Sequence, residues 1–289
     1  MANSSARRRK KKKLTTRTRR QGSQNRYRTA SFQSRFYEDL RDFPDAPLML
    51  TEGDSWFAWP VNGNIIRKIG KYANYNILRL ERNGDEIVEN IMSPRQRSKI
   101  EDALSRFDFP VFLVSGGGND IVGEELSGFV KRYRKNMISW RSVYKENEFE
   151  SALGLIKTAY IDLIELTYRY RPNCTILAHD YDFIEPSDNG AEFFGFSFGE
   201  SWIKPTMDEL KIPGDWQEDI VDHMLHRLSQ ELADLQATYP CFVHVRTQGT
   251  LKKGDPKHWA NEIHPTPAGF ELIARKFLPH LKRITPKAF

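Results

Sequence analysis

From about residue 47 onward, short apolar runs alternate with longer stretches whose apolar positions recur at helical spacing. Five runs read as strands: 47–51 (PLMLT), 76–81 (NILRLE), 109–115 (FPVFLVS), 174–179 (CTILAH) and 241–246 (CFVHVR). The third is apolar at nearly every position, which predicts a central strand buried on both faces. Helical patterns fall between them, at 64–73 (NIIRKIGKYA), 86–106, 151–170 and 219–239. A last one, 266–281, carries Pro267 in its first turn. Within 151–170 the spacing places Leu155, Ala159, Leu163, Leu166 and Tyr170 on one face. Strands alternating with helices in this way predict an α/β chain, a parallel sheet covered on both sides. No internal repeat is visible.

Charge changes this picture at one end only. The chain of 289 residues has a net charge of +6, yet residues 1–30 hold 12 Lys or Arg and no acid. The remainder carries 32 basic against 38 acidic residues, so a mildly acidic body follows a basic tail. Seven consecutive cations, Arg7 to Lys13, repel one another and bury nothing, which predicts disorder over 1–30 and a single folded domain over 31–289. Such a tail suits an anionic membrane surface or nucleic acid, or is simply a solvated segment. The N-terminus lacks the apolar stretch of a secretory signal, and no run approaches the 18 or so apolar residues of a membrane span, so the expected location is cytoplasmic. Two cysteines, Cys174 and Cys241, make no disulfide framework and read as buried free thiols, with a bridge between neighbouring strands as the alternative.

In open α/β sheets, ligands bind beyond the carboxyl ends of the strands. Those ends here are polar and glycine-rich. Gly53-Asp54-Ser55 follows the first strand, Asn83-Gly84 the second, and Ser115-Gly116-Gly117-Gly118-Asn119-Asp120 the third. His179-Asp180-Tyr181-Asp182 follows the fourth, and the loop after the fifth reaches His264 just before the last helix. Each has a plain alternative: Gly-Asp-Ser and Asn-Gly are common turns, and His264 can cap a helix. No Gly-Lys-Ser/Thr follows the glycine run as a P-loop requires, and the first strand lacks G-x-G-x-x-G. His179, Asp180 and Asp182 have no second ligand cluster, so neither metal nor cofactor is expected. Acyl transfer needs a nucleophile, a base within reach and donors for the developing oxyanion. Ser55, His264, and the Ser55 amide with Gly84 and Asn119 can fill those roles.

At Gly53-Asp54-Ser55, Gly84, Gly117-Gly118-Asn119-Asp120 and His264-Pro265 the chain resembles the SGNH (GDSL-type) hydrolases. The motifs occur in that family's order and span most of the chain. The first reads GDSW in place of GDSL. It is not a G-x-S-x-G elbow, because Phe57 stands where the second glycine would be. The resemblance implies a three-layer α/β/α sandwich, a doubly wound, flavodoxin-like sheet of five parallel strands. It also implies a serine esterase acting on a lipid or acyl ester or an O-acetyl group, with Ser55 as nucleophile, His264 as general base, and Ser55, Gly84 and Asn119 as the oxyanion hole. Family members place an Asp three residues before the histidine; here that residue is Asn261. It orients His264, or the site runs as a Ser–His dyad helped by a carbonyl, Glu262 or Asp255, or the chain is a weakened relative that binds without turnover. Trp56, Trp59, Asp182 and Phe194 are candidate walls of the substrate pocket. The aromatic stretch 192–202 reads as a lid, an acyl-binding wall or a loop pinned on the core.

Overall fold

The structure, a computed structural model of the chain, describes residues 29–30, 33–60, 63–122, 125–188, 190, 192–193, 196–197 and 201–289. The basic segment up to residue 28 and the candidate pocket residue Phe194 lie outside the described residues. In chain order the strands are β1 (Thr29–Ala30), β2 (Leu48–Gly53), β3 (Asn76–Arg79), β4 (Val111–Ser115), β5 (Thr175–His179), β6 (Glu192–Phe193), β7 (Phe196–Ser197) and β8 (Phe242–Val245). All five strands read from the apolar runs are present, and β1 adds a two-residue edge. They pair in parallel in the order β1-β3-β2-β4-β5-β8, while β6 and β7 form a separate antiparallel ribbon. Leaving β1 aside, this is the 2-1-3-4-5 order of a flavodoxin-like sheet. The chain runs from β2 outward to β3, then returns past β2 to β4. The crevice beyond the carboxyl ends of β2 and β4 is therefore the switch point where such sheets bind ligands.

The helices are α1 (Gln33–Asp42), α2 (Ser55–Ala58), α3 (Ile65–Ile69), α4 (Pro94–Arg106), α5 (Leu126–Phe129), α6 (Glu146–Tyr170), α7 (Lys204–Glu209), α8 (Gly214–Thr238) and α9 (Pro267–Ile284). α4, α6 and α8 pack side by side as one layer, and α3 packs with α9 in another. β4 is buried along its whole length, as its apolar run Val111–Val114 requires, with Ser115 the one polar residue.

Two helical expectations are corrected. In α6 the buried stripe runs Phe149, Leu153, Ile156, Tyr160, Leu163 and Thr167. Leu155 is 59 % exposed, because at 100° per residue it stands on the far side from Leu153 and only Ala159, Leu163 and Leu166 of the expected face are buried. The stretch 86–106 is not one helix. A π-turn over Ile87–Ile91 precedes α4, which begins at Pro94 with Ser93 as its N-cap. The Asp120 carboxylate accepts from the Ile87 and Val88 amides (2.9 and 3.0 Å), anchoring the first piece separately. Both cysteines are free, Cys174 buried and Cys241 half-buried. Among the described residues no helix is long and apolar enough to cross a membrane.

Candidate active site

β2 ends at Gly53, which pairs with Ser115 at the end of β4. Gly53 has φ +150°, and a Cβ there would stand 2.4 Å from the Ser115 carbonyl oxygen. Only glycine lets the two strand ends approach this closely and then turn. Asp54 caps the one-turn helix α2 by accepting from the Trp56 amide (2.9 Å). Ser55 is the first residue of that turn, where a backbone N–H has no partner within the helix. The turn thus presents both the hydroxyl and the amide of Ser55 at the switch-point crevice.

The loop before α9 brings the other partner. His264 Nε2 lies 2.8 Å from Ser55 Oγ, and His264 Nδ1 lies 3.0 Å from Asn261 Oδ1. Asn261 Oδ1 also accepts from the backbone amides of Ile263 (3.2 Å) and His264 (2.8 Å). Two backbone donors facing one atom require the amide oxygen there, not its NH₂, so the orientation of Asn261 is fixed. The ring must then carry its proton on Nδ1 and turn the Nε2 lone pair to Ser55. His264 is 2 % exposed, and burial pushes its imidazole down to about 3. Glu262 plays no part beside the ring. Its carboxylate accepts from the amides of Ser187, Trp202, Ile203 and Lys204, stapling the loop before α7 to the histidine loop. Asp255 binds the Lys257 amide instead.

Asn119 lines the cleft beside Ser55 and gives one Nδ2 hydrogen to the Asp85 carbonyl (3.1 Å), leaving the second. Gly84 has φ +80° with open space where a Cβ would stand, so backbone conformation, not crowding, calls for glycine. The Asn119 and Asp120 bonds bolt the loop after β4 to the segment after Gly84. The cleft encloses about 30 Å³, with Trp56, Val122, Ile184, Leu225 and Ile263 as its apolar wall. Trp56 is buried and donates its indole N–H to the Ile263 carbonyl (3.2 Å). Trp59 stands apart from that wall, stacked on the His264 ring. Asp182 reaches the cleft, but its carboxylate is occupied by the amides of Phe183, Gly249 and Leu251.

Sequence reasoning missed a buried network behind Ser55. Asp54 accepts from Ser115 Oγ (2.7 Å) and from the Tyr181 hydroxyl. Ser115 Oγ lies 2.9 Å from His179 Nε2, and His179 Nδ1 accepts from the Tyr181 amide (3.2 Å). That last bond fixes the tautomer: His179 donates through Nε2 to Ser115, which donates to Asp54. Burial raises the Asp54 carboxyl to about 6 and pushes His179 down to about 3. Asp180 goes elsewhere, to His244, Ser229 and Thr247, where those donors outweigh burial and hold it at about 2. His179, Asp180 and Asp182 therefore belong to three separate networks. The available signal was Ser115 at the end of an otherwise apolar strand adjoining β2.

A 2-1-3-4-5 sheet with a Ser–His–Asn series at the end of its first central strand has the fold class of the SGNH (GDSL-type) hydrolases. By sequence the chain matches no family model and no curated protein. Among solved structures it is similar to a candidate platelet activating factor from Streptococcus pneumonia, at 12 % identity and TM-score 0.51, covering 86 % of this chain and 90 % of that one. It is also similar to the lipase Lip_vut3 from a goat rumen metagenome, at 13 % identity and TM-score 0.50, covering 81 % and 97 %. Likenesses at such identities speak to the fold.

Proposed function

We propose that the chain is a serine esterase that hydrolyses a carboxylic ester through an acyl-enzyme on Ser55. The observation that carries this reading is the series Ser55 Oγ, His264 Nε2, His264 Nδ1, Asn261 Oδ1, with steps of 2.8 and 3.0 Å and the tautomer a base requires. Ser55 Oγ attacks the ester carbonyl carbon while its proton passes to His264 Nε2. The Ser55 and Gly84 amides and the second Asn119 N–H receive the developing oxyanion. His264 then returns the proton to the departing alkoxide, which leaves as an alcohol. A water attacks the acyl-enzyme with the same base, releasing the acid and restoring Ser55.

The cleft beside Ser55 is small, about 30 Å³, and walled by Trp56, Val122, Ile184, Leu225 and Ile263, which favours a short acyl group over a long chain. An O-acetyl substituent fits this description, with the alcohol part outside. A neutral residue at 261 favours a second reading, a slow or non-hydrolytic relative that binds an ester. Hydrolysis of p-nitrophenyl acetate and p-nitrophenyl decanoate by the full chain, Ser55→Ala and His264→Gln separates the two. The esterase reading expects turnover of acetate over decanoate, lost in both variants. Hydrolysis that survives Ser55→Ala overturns it.

A further inference from the structure

Resting on the esterase reading, general-base catalysis at His264 creates an imidazolium in a buried place where no carboxylate among the described residues bonds the ring. Among the described residues, the groups facing the ring are the Ser55 hydroxyl, the Asn261 amide oxygen and the rings of Trp59 and Trp202. The charged groups nearest along the chain are turned away. Glu262 is committed to four backbone amides, and Asp54 to Ser115, Tyr181 and the Trp56 amide. Burial acts on His264 without a compensating acid. At 261 an amide oxygen stands where a carboxylate would hold that cation.

We propose that Trp59 does so, as a positioning residue whose indole face stabilises the protonated His264 ring by a cation–π interaction. The two rings stack with centroids 3.8 Å apart and planes 16° from parallel. Neutral aromatic pairs prefer an offset or edge-on arrangement with centroids about 4.5–7 Å apart. A face-to-face stack at 3.8 Å is poorly suited to two neutral rings and well suited to a cation over the face of the best π-donor side chain. The backbone fixes this placement. The Trp59 N–H donates to the Ser55 carbonyl (2.7 Å), closing α2, and the Trp59 carbonyl accepts from Asn64 Nδ2 (3.0 Å). Asn64 is itself buried and caps α3. One helical turn therefore carries Ser55 at its start and the ring that covers its base at its end. Trp202 meets the imidazole nearly at right angles, 5.4 Å away, and Glu262 holds its backbone. In this chain an aromatic face takes over part of what an aspartate would supply.

The test replaces Trp59 by its 5-fluoro and 5,7-difluoro analogues, introduced site-specifically in the full chain, together with Trp59→Phe and Trp59→Leu. Fluorination drains the π-face while leaving its shape nearly unchanged, so folding is not at issue. Two quantities are read: the acylation rate constant with p-nitrophenyl acetate at neutral pH, and the His264 protonation constant from its imidazole NMR signals. A desolvated cation–π contact predicts that Trp59→Leu lowers both by between about fivefold and thirtyfold. The fluorinated series should fall stepwise between wild type and Trp59→Leu, Trp59→Phe should retain part of the effect, and KM should stay near its original value. Acylation and protonation constants that stay level across the fluorinated series overturn the inference, as does a Trp59→Leu loss of acylation without any change in protonation. If the wild-type chain never acylates, the esterase reading fails, while the protonation constant still decides the role of Trp59.

Discussion

Replacing Asn261 by Asp perturbs the site at one atom and leaves its framework standing. Asn261 Oδ1 already accepts from two backbone amides and faces His264 Nδ1 at 3.0 Å, so a carboxylate oxygen meets the same donors. What changes is charge. A full negative charge about 4 Å from the centre of an imidazolium attracts it by about 4 kcal/mol at an effective dielectric near 20. The carboxylate's own desolvation cancels part of this, since position 261 is buried. An opposite charge at this range raises a basic group by roughly one to three pH units. His264 starts at about 3, so Asn261→Asp should bring it to roughly 4–6. A base works unprotonated, so the sign follows: the variant's kcat/KM should fall as pH drops through that range. The wild-type profile should stay flat well below the pH of an ordinary histidine, about 6.5. At pH 7.5 the variant should match or exceed wild type, because the carboxylate also holds the imidazolium formed during acylation. The assay is kcat/KM for p-nitrophenyl acetate from pH 4 to 8, with circular dichroism to confirm the fold. An acid limb that does not move, or a tenfold loss at pH 7.5 in a folded variant, would show that the charge at 261 does not act on His264.

Further predictions concern the surrounding framework. Gly53→Ala should destabilise the fold by about 2 kcal/mol or more, read from the urea midpoint, because its Cβ meets the Ser115 carbonyl at 2.4 Å. Ser115→Ala strands donor His179 and removes one bond to Asp54; we expect a loss of about 1–3 kcal/mol and a lower kcat with KM little changed. Glu262→Gln should cost a similar amount, about 1–3 kcal/mol, since one amide oxygen cannot receive four backbone donors. Glu52, buried beside Gln96, is raised by burial from 4.5 to about 8. The folded state then holds a proton the unfolded state releases, so this contribution is complete below about pH 4.5 and lost as pH rises through 8. Glu52→Gln should flatten that alkaline loss in denaturant titrations, and an unchanged slope would contradict the assignment.

Strand identity and the place where the candidate site residues gather were legible because they rest on local signals. A run apolar at all but its last position, such as 109–115, has no other economical place than the middle of a covered sheet, and polar glycine-rich stretches at successive strand ends mark the switch-point crevice. Leu155 was misplaced because two helical faces of 151–170 are both apolar enough to fit, and packing against α4 and α8 chose between them. The break at Met92-Ser93 was visible in Ser93-Pro94, but the anchor of the piece before it lay in Asp120, 33 residues beyond Ile87. The same holds for the Asp54, Ser115, His179 and Tyr181 network, whose members come from three strand ends and meet only once the sheet order is known. Asp182 lines the cleft as its position suggested, but that its carboxylate serves the turn at 249–251 could not be read from spacing. Spacing along a chain reports faces and ends; which polar group satisfies which depends on the neighbouring strand.

Covalent labelling asks whether Ser55 is the nucleophile and His264 its base. The full chain is incubated with a fluorophosphonate, its intact mass measured, and the adduct mapped by peptide sequencing. One adduct per chain on Ser55, lost in Ser55→Ala and slowed at least a hundredfold in His264→Gln, is the predicted result. A folded chain that takes no label, or that is labelled at a residue other than Ser55, would contradict it.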